Sequence, residues 1–161
     1  MFKTIDFSHL CLTQAGGMAA SEGTARAWQA ATGSAMIEGW GMSETCAIGT
    51  NNPVTQTSFS GSIGLPLPSI DMAIKDEQGN SLAQGESGEI CIRGPNVMVG
   101  YYKQEEETRK AFTPDGFMRT GDVGIMDEKG FFRIVDRKKD MILVSGFNVF
   151  PSELENVISL C

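Results

Sequence analysis

A single histidine, His9, is all the imidazole this 161-residue sequence holds. Its four cysteines, Cys11, Cys46, Cys91 and Cys161, are scattered and form no C-x-x-C pair. A zinc site therefore lacks its usual ligand set. Cations are also scarce: 13 Lys and Arg against 20 Asp and Glu leave a net charge of −7. That balance argues against a nucleic-acid partner, because backbone affinity rests on clustered positive charge. No stretch approaches the ~18–20 continuous apolar residues of a spanning helix, and the first residues lack the basic-then-apolar order of a secretory signal. The expectation is a soluble chain whose cysteines are free, sit in apolar strand-like runs as small buried hydrophobes, and stay reduced in the cytoplasm. What the sequence does have is 41% hydrophobic residues, enough over this length to bury a real core.

The order of patterns predicts an α/β beginning. Residues 7–14 form an apolar run that stops at Ala15-Gly16-Gly17, which reads as a buried strand ending in a loop. A helix is expected next, capped by Ser21, with Ala25, Trp28 and Thr32 at helical spacing and Gly33 as the stop. Residues 35–37 are a second strand, running into the stretch EGWGMSETCA at 38–47. Beyond about Ser60, period-two alternation between turn residues predicts an antiparallel β region. One hairpin pairs the strand bearing Ile70, Met72 and Ile74 with residues 89–93 across a turn at 76–80; another joins 123–126 to 131–135 around Asp127-Glu128-Lys129-Gly130. Residues 104–112 read as a short helix with a solvated charged face. Residues 141–144 form a further strand, and 151–161 an amphipathic helix whose stripe is Leu154, Val157, Ile158 and Cys161. That stripe has nothing after it to pack against, so the chain is expected to be a piece of a longer protein, and self-association through uncovered apolar surface is expected with it.

Ser43-Glu44, after a strand and a glycine, leaves two chemistries open. A nucleophile elbow needs G-x-S-x-G, and Gly41-Met42-Ser43-Glu44-Thr45 lacks the second glycine. A hydroxyl beside a carboxylate also suits phosphate and magnesium, the serine donating to a phosphate oxygen and the hard anionic glutamate holding the metal.

Four later segments follow in order: SGSIGLPLPS (60–69), GEICIRGPNVMVGYY (88–102), FMRTGD (117–122) and RIVDRKKDMILVSGFNVFPSELE (133–155). With EGWGMSETCA they resemble the adenylate-forming enzymes, the superfamily of acyl-CoA synthetases, luciferases and peptide-synthetase adenylation domains. The last segment is most similar to that of bacterial long-chain fatty-acid CoA ligases. The resemblance implies ATP, magnesium and CoA as co-substrates and a fatty acid as the acid. It also implies two steps: a carboxylate attacks the α-phosphate to give acyl-AMP and pyrophosphate, then the CoA thiol displaces AMP.

The resemblance also implies site residues. Gly16, Gly17 and Met18 would lie against adenine, where glycine lets the backbone approach. In Trp40-Gly41-Met42-Ser43-Glu44, which matches the family's Y-G-M-T-E, the aromatic would cover adenine, Ser43 contact the α-phosphate and Glu44 bind magnesium. Trp for Tyr and Ser for Thr keep the aromatic face and the hydroxyl. Asp122 matches the aspartate that accepts the ribose hydroxyls, and Arg137 the arginine that reaches ribose or phosphate. Ile134 stands where the family has an apolar nucleotide contact. Lys139 matches the hinge between a large domain and a small lid, and Ser145-Gly146-Phe147 the loop lining the pantetheine tunnel. Ser43, Glu44 and Arg137 form the expected catalytic set.

The expected fold is mixed α and β: the end of an α/β layer over 1–56, a distorted antiparallel β-barrel over 57–138, and the hinge with the start of the lid over 139–161. Two family parts have no match in the sequence, the Ser/Thr/Gly-rich loop ending in Pro-Lys-Gly and the C-terminal lysine. The chain by itself is therefore expected to be inactive, with at most weak AMP binding. The alternatives are a non-catalytic nucleotide-binding or interaction module, or adenylation of an aryl or amino acid. The expected location is the cytoplasm, with peripheral contact to the inner face of the membrane open for the whole protein.

Overall fold

The computed structural model of the chain describes residues 4–144, 147–149, 151 and 158. The chain divides into two compact units, Met1–Pro68 and Ser69–Cys161.

The first unit is built on strand β1 (Thr13–Ala15), helix α1 (Glu22–Thr32), β2 (Met36–Trp40), β3 (Thr50–Asn51) and β4 (Leu65–Pro66), in sheet order β1-β2-β3-β4. β1 and β2 run parallel, with Thr13 opposite Met36, and the remaining pairs are antiparallel. Helix α1 begins and ends where its sequence signals fall. The Ser21 hydroxyl accepts the Thr24 N–H at 3.1 Å, and Gly33, at φ 76°, donates its N–H to Gln29 O at 2.8 Å. Its inner face places Ala25 in the core with Ile37, and the Trp28 indole donates to Thr13 Oγ1 at 3.0 Å. The strand expected over 7–14 is shorter: the Asp6 carboxylate accepts the Ser8 N–H at 2.9 Å and Leu10 N–H bonds Phe7 O, so this run turns before it reaches the sheet.

The second unit is a meander of β5 (Asp71–Lys75), β6 (Gly88–Arg93), β7 (Met118–Met126) and β8 (Phe132–Arg137), antiparallel throughout and in that spatial order. Helix α2 (Glu105–Ala111) lies between β6 and β7 in sequence, and β9 (Ile142–Val144) pairs with β10 (Phe147–Val149). The antiparallel β content is as expected, but the four strands form an open sheet and do not close into a barrel. Ile90, Ile92, Met118 and Phe132 are its deepest apolar residues. Pro151 and Ile158 have helical backbone, and Ile158 is exposed; Leu154, Val157 and Cys161 of the expected stripe lie outside the described residues.

Cysteine placement departs from expectation. Cys91, in β6, is fully buried, which pushes its thiol pKa up to about 12, chiefly by desolvation. Cys11 and Cys46 are exposed and lie outside the strands, because the runs around them turn instead of extending into the sheet. All three are free thiols.

A lysine closes the β5–β6 hairpin from inside. Lys75 is 1% exposed; its ammonium donates to Gly79 O at 3.0 Å and Asp115 Oδ2 at 2.8 Å, and sits 4.8 Å from the Phe117 ring centroid. The hydrogen bond from Lys75 holds the Asp115 carboxyl below the usual aspartate range. Because the folded pKa is depressed, this stabilisation is complete above about pH 4, the unfolded value, and fades as pH falls through the lowered one. Lys75→Met leaves the Gly79 carbonyl without its charged donor, an expected loss of about 1–3 kcal/mol in urea unfolding at pH 7. The gap between variant and wild type should narrow below about pH 4.

Candidate functional site

Both parallel strands of the first unit end in glycines, and those ends form one cavity. Gly16 and Gly17 follow β1, while Gly41, Met42 and Ser43 follow β2. Together with Gln14, Gly39, Trp40, Ala47 and Ile48 they line about 360 Å³, within the ~300–1,000 Å³ range of ligand pockets. The carboxyl ends of parallel strands are where open α/β sheets bind ligands, since chains leave the sheet there and expose backbone N–H groups.

The cavity wall is a tightly wound loop. Ser43–Thr45 makes one 3-10 turn, after which Cys46 and Ala47 both take left-handed backbone, at φ 51° and 76°. Two consecutive non-glycine residues in that region need external support. Thr45, fully buried, supplies it: its Oγ1 accepts the Met42 N–H at 3.0 Å and donates to Met42 O at 3.1 Å. Met42 O also accepts the N–H of Thr45 and of Ala47, both at 3.0 Å. The loop then folds back over Gly41, where a Cβ would meet Ala47 C and Ile48 Cα at 2.5 Å.

The motif residues meet different fates in this geometry. Trp40 is 9% exposed and lines the cavity with its neighbours Gly41, Met42 and Ser43. Ser43 is exposed at the turn, and Glu44 beside it is half-buried. Met18 is 83% exposed and is not part of the lining, because Gly17 at φ 83° turns the chain away after Gly16. No cluster of three or more Asp, Glu, His or Cys exists among the described residues. Glu44 contributes one carboxylate beside the turn, and magnesium, an ion that keeps its waters, takes one or two carboxylates alongside substrate phosphates.

The second unit holds Asp122, Ile134 and Arg137. FMRTGD forms a bulge in β7: Glu89 pairs with Val123 and Cys91 with Arg119, so three residues of β7, Thr120 to Asp122, face one of β6. Bulges re-aim side chains, and side chains replace the ladder bonds lost in this one. Thr120 Oγ1 donates to Ile90 O at 2.7 Å and accepts the Asp122 N–H at 3.1 Å. Gly121 takes φ 77°, and its N–H goes to Glu89 Oε1 at 3.1 Å. Asp122 is 6% exposed, with Oδ1 3.3 Å from Nε of Arg137 on β8, its register partner. Ile134 is half-buried on β8, and Lys139 is exposed in the turn beyond it. Ser145 and Gly146 lie outside the described residues; the Phe147 backbone is in β10 and its side chain is not among those described.

Thr45 and Glu89 escaped the motif reading. Glu89 carried a signal, a charge at the head of the apolar run I-C-I, whereas Thr45 looked like any loop hydroxyl. Gly41→Ala forces the crossing backbone apart and is expected to cost about 2–4 kcal/mol by urea unfolding. Gly17→Ala meets no atom within 4 Å and carries only the left-handed backbone penalty, about 1 kcal/mol.

Comparison with known proteins agrees with this arrangement. Residues 2–102, more than half of the chain, match the family described as AMP-binding enzyme. The long-chain-fatty-acid–CoA ligase of Yersinia pestis is 48% identical over 159 residues, covering 99% of this chain and 28% of that protein. The chain thus spans little more than a quarter of the length of that relative. ATP-bound MatB from Rhodopseudomonas palustris superposes with a TM-score of 0.88 at 39% identity, over 93% of this chain and 30% of MatB. O-succinylbenzoate CoA synthetase from Bacillus subtilis, in complex with ATP and magnesium, gives 0.79 at 32% identity, over 90% of this chain and 30% of its own. A parallel βαβ unit with a glycine-lined cavity at its strand ends, and a match across most of the chain, lead to one statement: the chain belongs to the AMP-binding enzyme family.

Proposed function

We propose that this chain is the nucleotide-holding part of a fatty-acid CoA ligase, which condenses a long-chain carboxylate with ATP to acyl-AMP and passes the acyl group to the CoA thiol. The observation that carries this reading is the cavity at the carboxyl ends of β1 and β2, walled by Gly16, Gly17, Trp40, Gly41, Met42 and Ser43. The strong similarity to long-chain-fatty-acid–CoA ligases supports the acid and the thiol.

In this reading adenine rests against the Gly16-Gly17 backbone and Trp40. The exposed Ser43 hydroxyl donates to an α-phosphate oxygen. Glu44 offers its carboxylate to magnesium, which when bound supplies positive charge against the phosphate oxygens of the transition state. Asp122, held by the β7 bulge, accepts both ribose hydroxyls, a task that suits an acceptor-only group. Its neighbour Arg137 turns its planar fork from Asp122 toward ribose or phosphate. Ile134 gives the nucleotide an apolar contact, Lys139 is the hinge of a small lid, and Ser145, Gly146 and Phe147 line the pantetheine path.

The test places this chain in the Yersinia pestis ligase in exchange for the matching segment and follows pyrophosphate release with ATP and a long-chain fatty acid. Activity is expected in the exchange protein. Asp122→Ala should lower kcat/KM for ATP about 10–100-fold, the worth of hydrogen bonds to a charged group. Glu44→Gln should raise the magnesium concentration needed for half-maximal rate. Full activity in the Ser43→Ala, Glu44→Gln and Asp122→Ala variants alike would sink the proposal.

A further inference from the structure

A buried carboxylate beneath the β7 bulge has no part in the nucleotide contacts just described, yet the bulge depends on it. Glu89, in the inner strand β6, is 8% exposed. Its Oε1 accepts the Gly121 N–H at 3.1 Å. Its Oε2 accepts Nη1 of Arg119 at 2.9 Å and faces Nζ of Lys138 at 3.6 Å. Lys138 is itself bound back to the bulge, its N–H donating to Gly121 O at 2.8 Å. Glu89 therefore touches Arg119, two residues before the bulge glycine, the glycine itself, and Lys138, the residue that follows Arg137.

A buried charge persists only when it is paired and hydrogen-bonded, and a misplaced carboxylate in this strand would be expensive. The sequence places it at the head of the apolar run I-C-I, and the N–H it satisfies is one of two in the bulge that bond side chains, the other being that of Asp122 on Thr120 Oγ1. Gly121 takes left-handed backbone, φ 77°, inside β7, so the bond to its N–H holds the bulge conformation that orients the adjoining Asp122.

We infer that Glu89 is a positioning residue that, through Gly121 and the Arg119–Lys138 pair, fixes the Asp122 carboxylate for reading a ribose diol. The inference rests on the ribose role proposed for Asp122. Glu89 makes no contact of its own with ligand in this assignment; its effect is on discrimination between a nucleotide that carries both hydroxyls and one that lacks them.

The experiment uses the whole 161-residue chain and NMR titration with AMP and 2′,3′-dideoxy-AMP, a readout suited to weak affinities. Wild type is expected to favour AMP about tenfold, as for a hydrogen bond to a charged acceptor. Asp122→Ala should erase that preference. Glu89→Ala should reduce it to about twofold or less, and adding it to Asp122→Ala should cause no further loss, since both act on one contact. Glu89→Gln keeps an oxygen for the Gly121 N–H and should recover most of the preference. Without ligand, the Gly121 amide proton should exchange about tenfold faster in Glu89→Ala than in Glu89→Gln. A Glu89→Ala chain that keeps the full preference while Asp122→Ala loses it overturns the positioning role and leaves the ribose reading standing. Equal affinity of wild type for the two nucleotides, or none for AMP, overturns the ribose reading. An unchanged Gly121 exchange rate in Glu89→Ala overturns the positioning role without reference to any nucleotide.

Discussion

The cavity exists because nothing projects from Gly41. The chain leaves β2, makes one turn and returns across its own path, and the backbone of Ala47 and Ile48 occupies the space that any side chain at that position would need. Everything on the cavity wall follows from this close crossing. It forces Cys46 and Ala47 into left-handed backbone, it calls for Thr45 to tie both ends of the Met42 peptide, and it presents Ser43 and Glu44 on the outside of the turn. Local strain of this kind persists only where the surroundings over-determine it. Met42 O, which accepts three hydrogen bonds, is the point at which they do.

The second unit solves an analogous problem with a charge in place of a missing side chain. A bulge of three residues against one leaves backbone donors without ladder partners. Thr120 takes one donor with a hydroxyl and Glu89 another with a carboxylate. The two halves thus use the same device: a side chain within reach caps a backbone N–H that irregular geometry has stranded.

Much of this was legible in the sequence, and the reason is local. Helix α1 obeyed its Ser21 and Gly33 signals, and both hairpins of the meander appeared at their turns, each opening on an aspartate and containing a glycine, because capping and turn chemistry act over four or five residues. The shortened first strand and the exposure of Cys11 and Cys46 were not legible because local turns interrupt runs whose apolar pattern reads as strand, and the open sheet was not because closure depends on long-range strand pairing. Among the residues singled out from the motifs, Trp40, Gly41 and Ser43 line one cavity, whereas Met18 lies outside its lining, beyond a single left-handed glycine. Asp122 and Arg137 were named separately from sequence, and only the β7–β8 register makes them a pair.

Cys91 gives this architecture a built-in clock. It sits on an inner strand, wholly enclosed, with a thiol that stays protonated far above neutral pH, whereas Cys11 and Cys46 are open to solvent. Thiol reagents attack the thiolate and need access to it. Modification of Cys91 must therefore wait until β6 parts from its neighbours, so its labelling rate measures how often the second sheet opens.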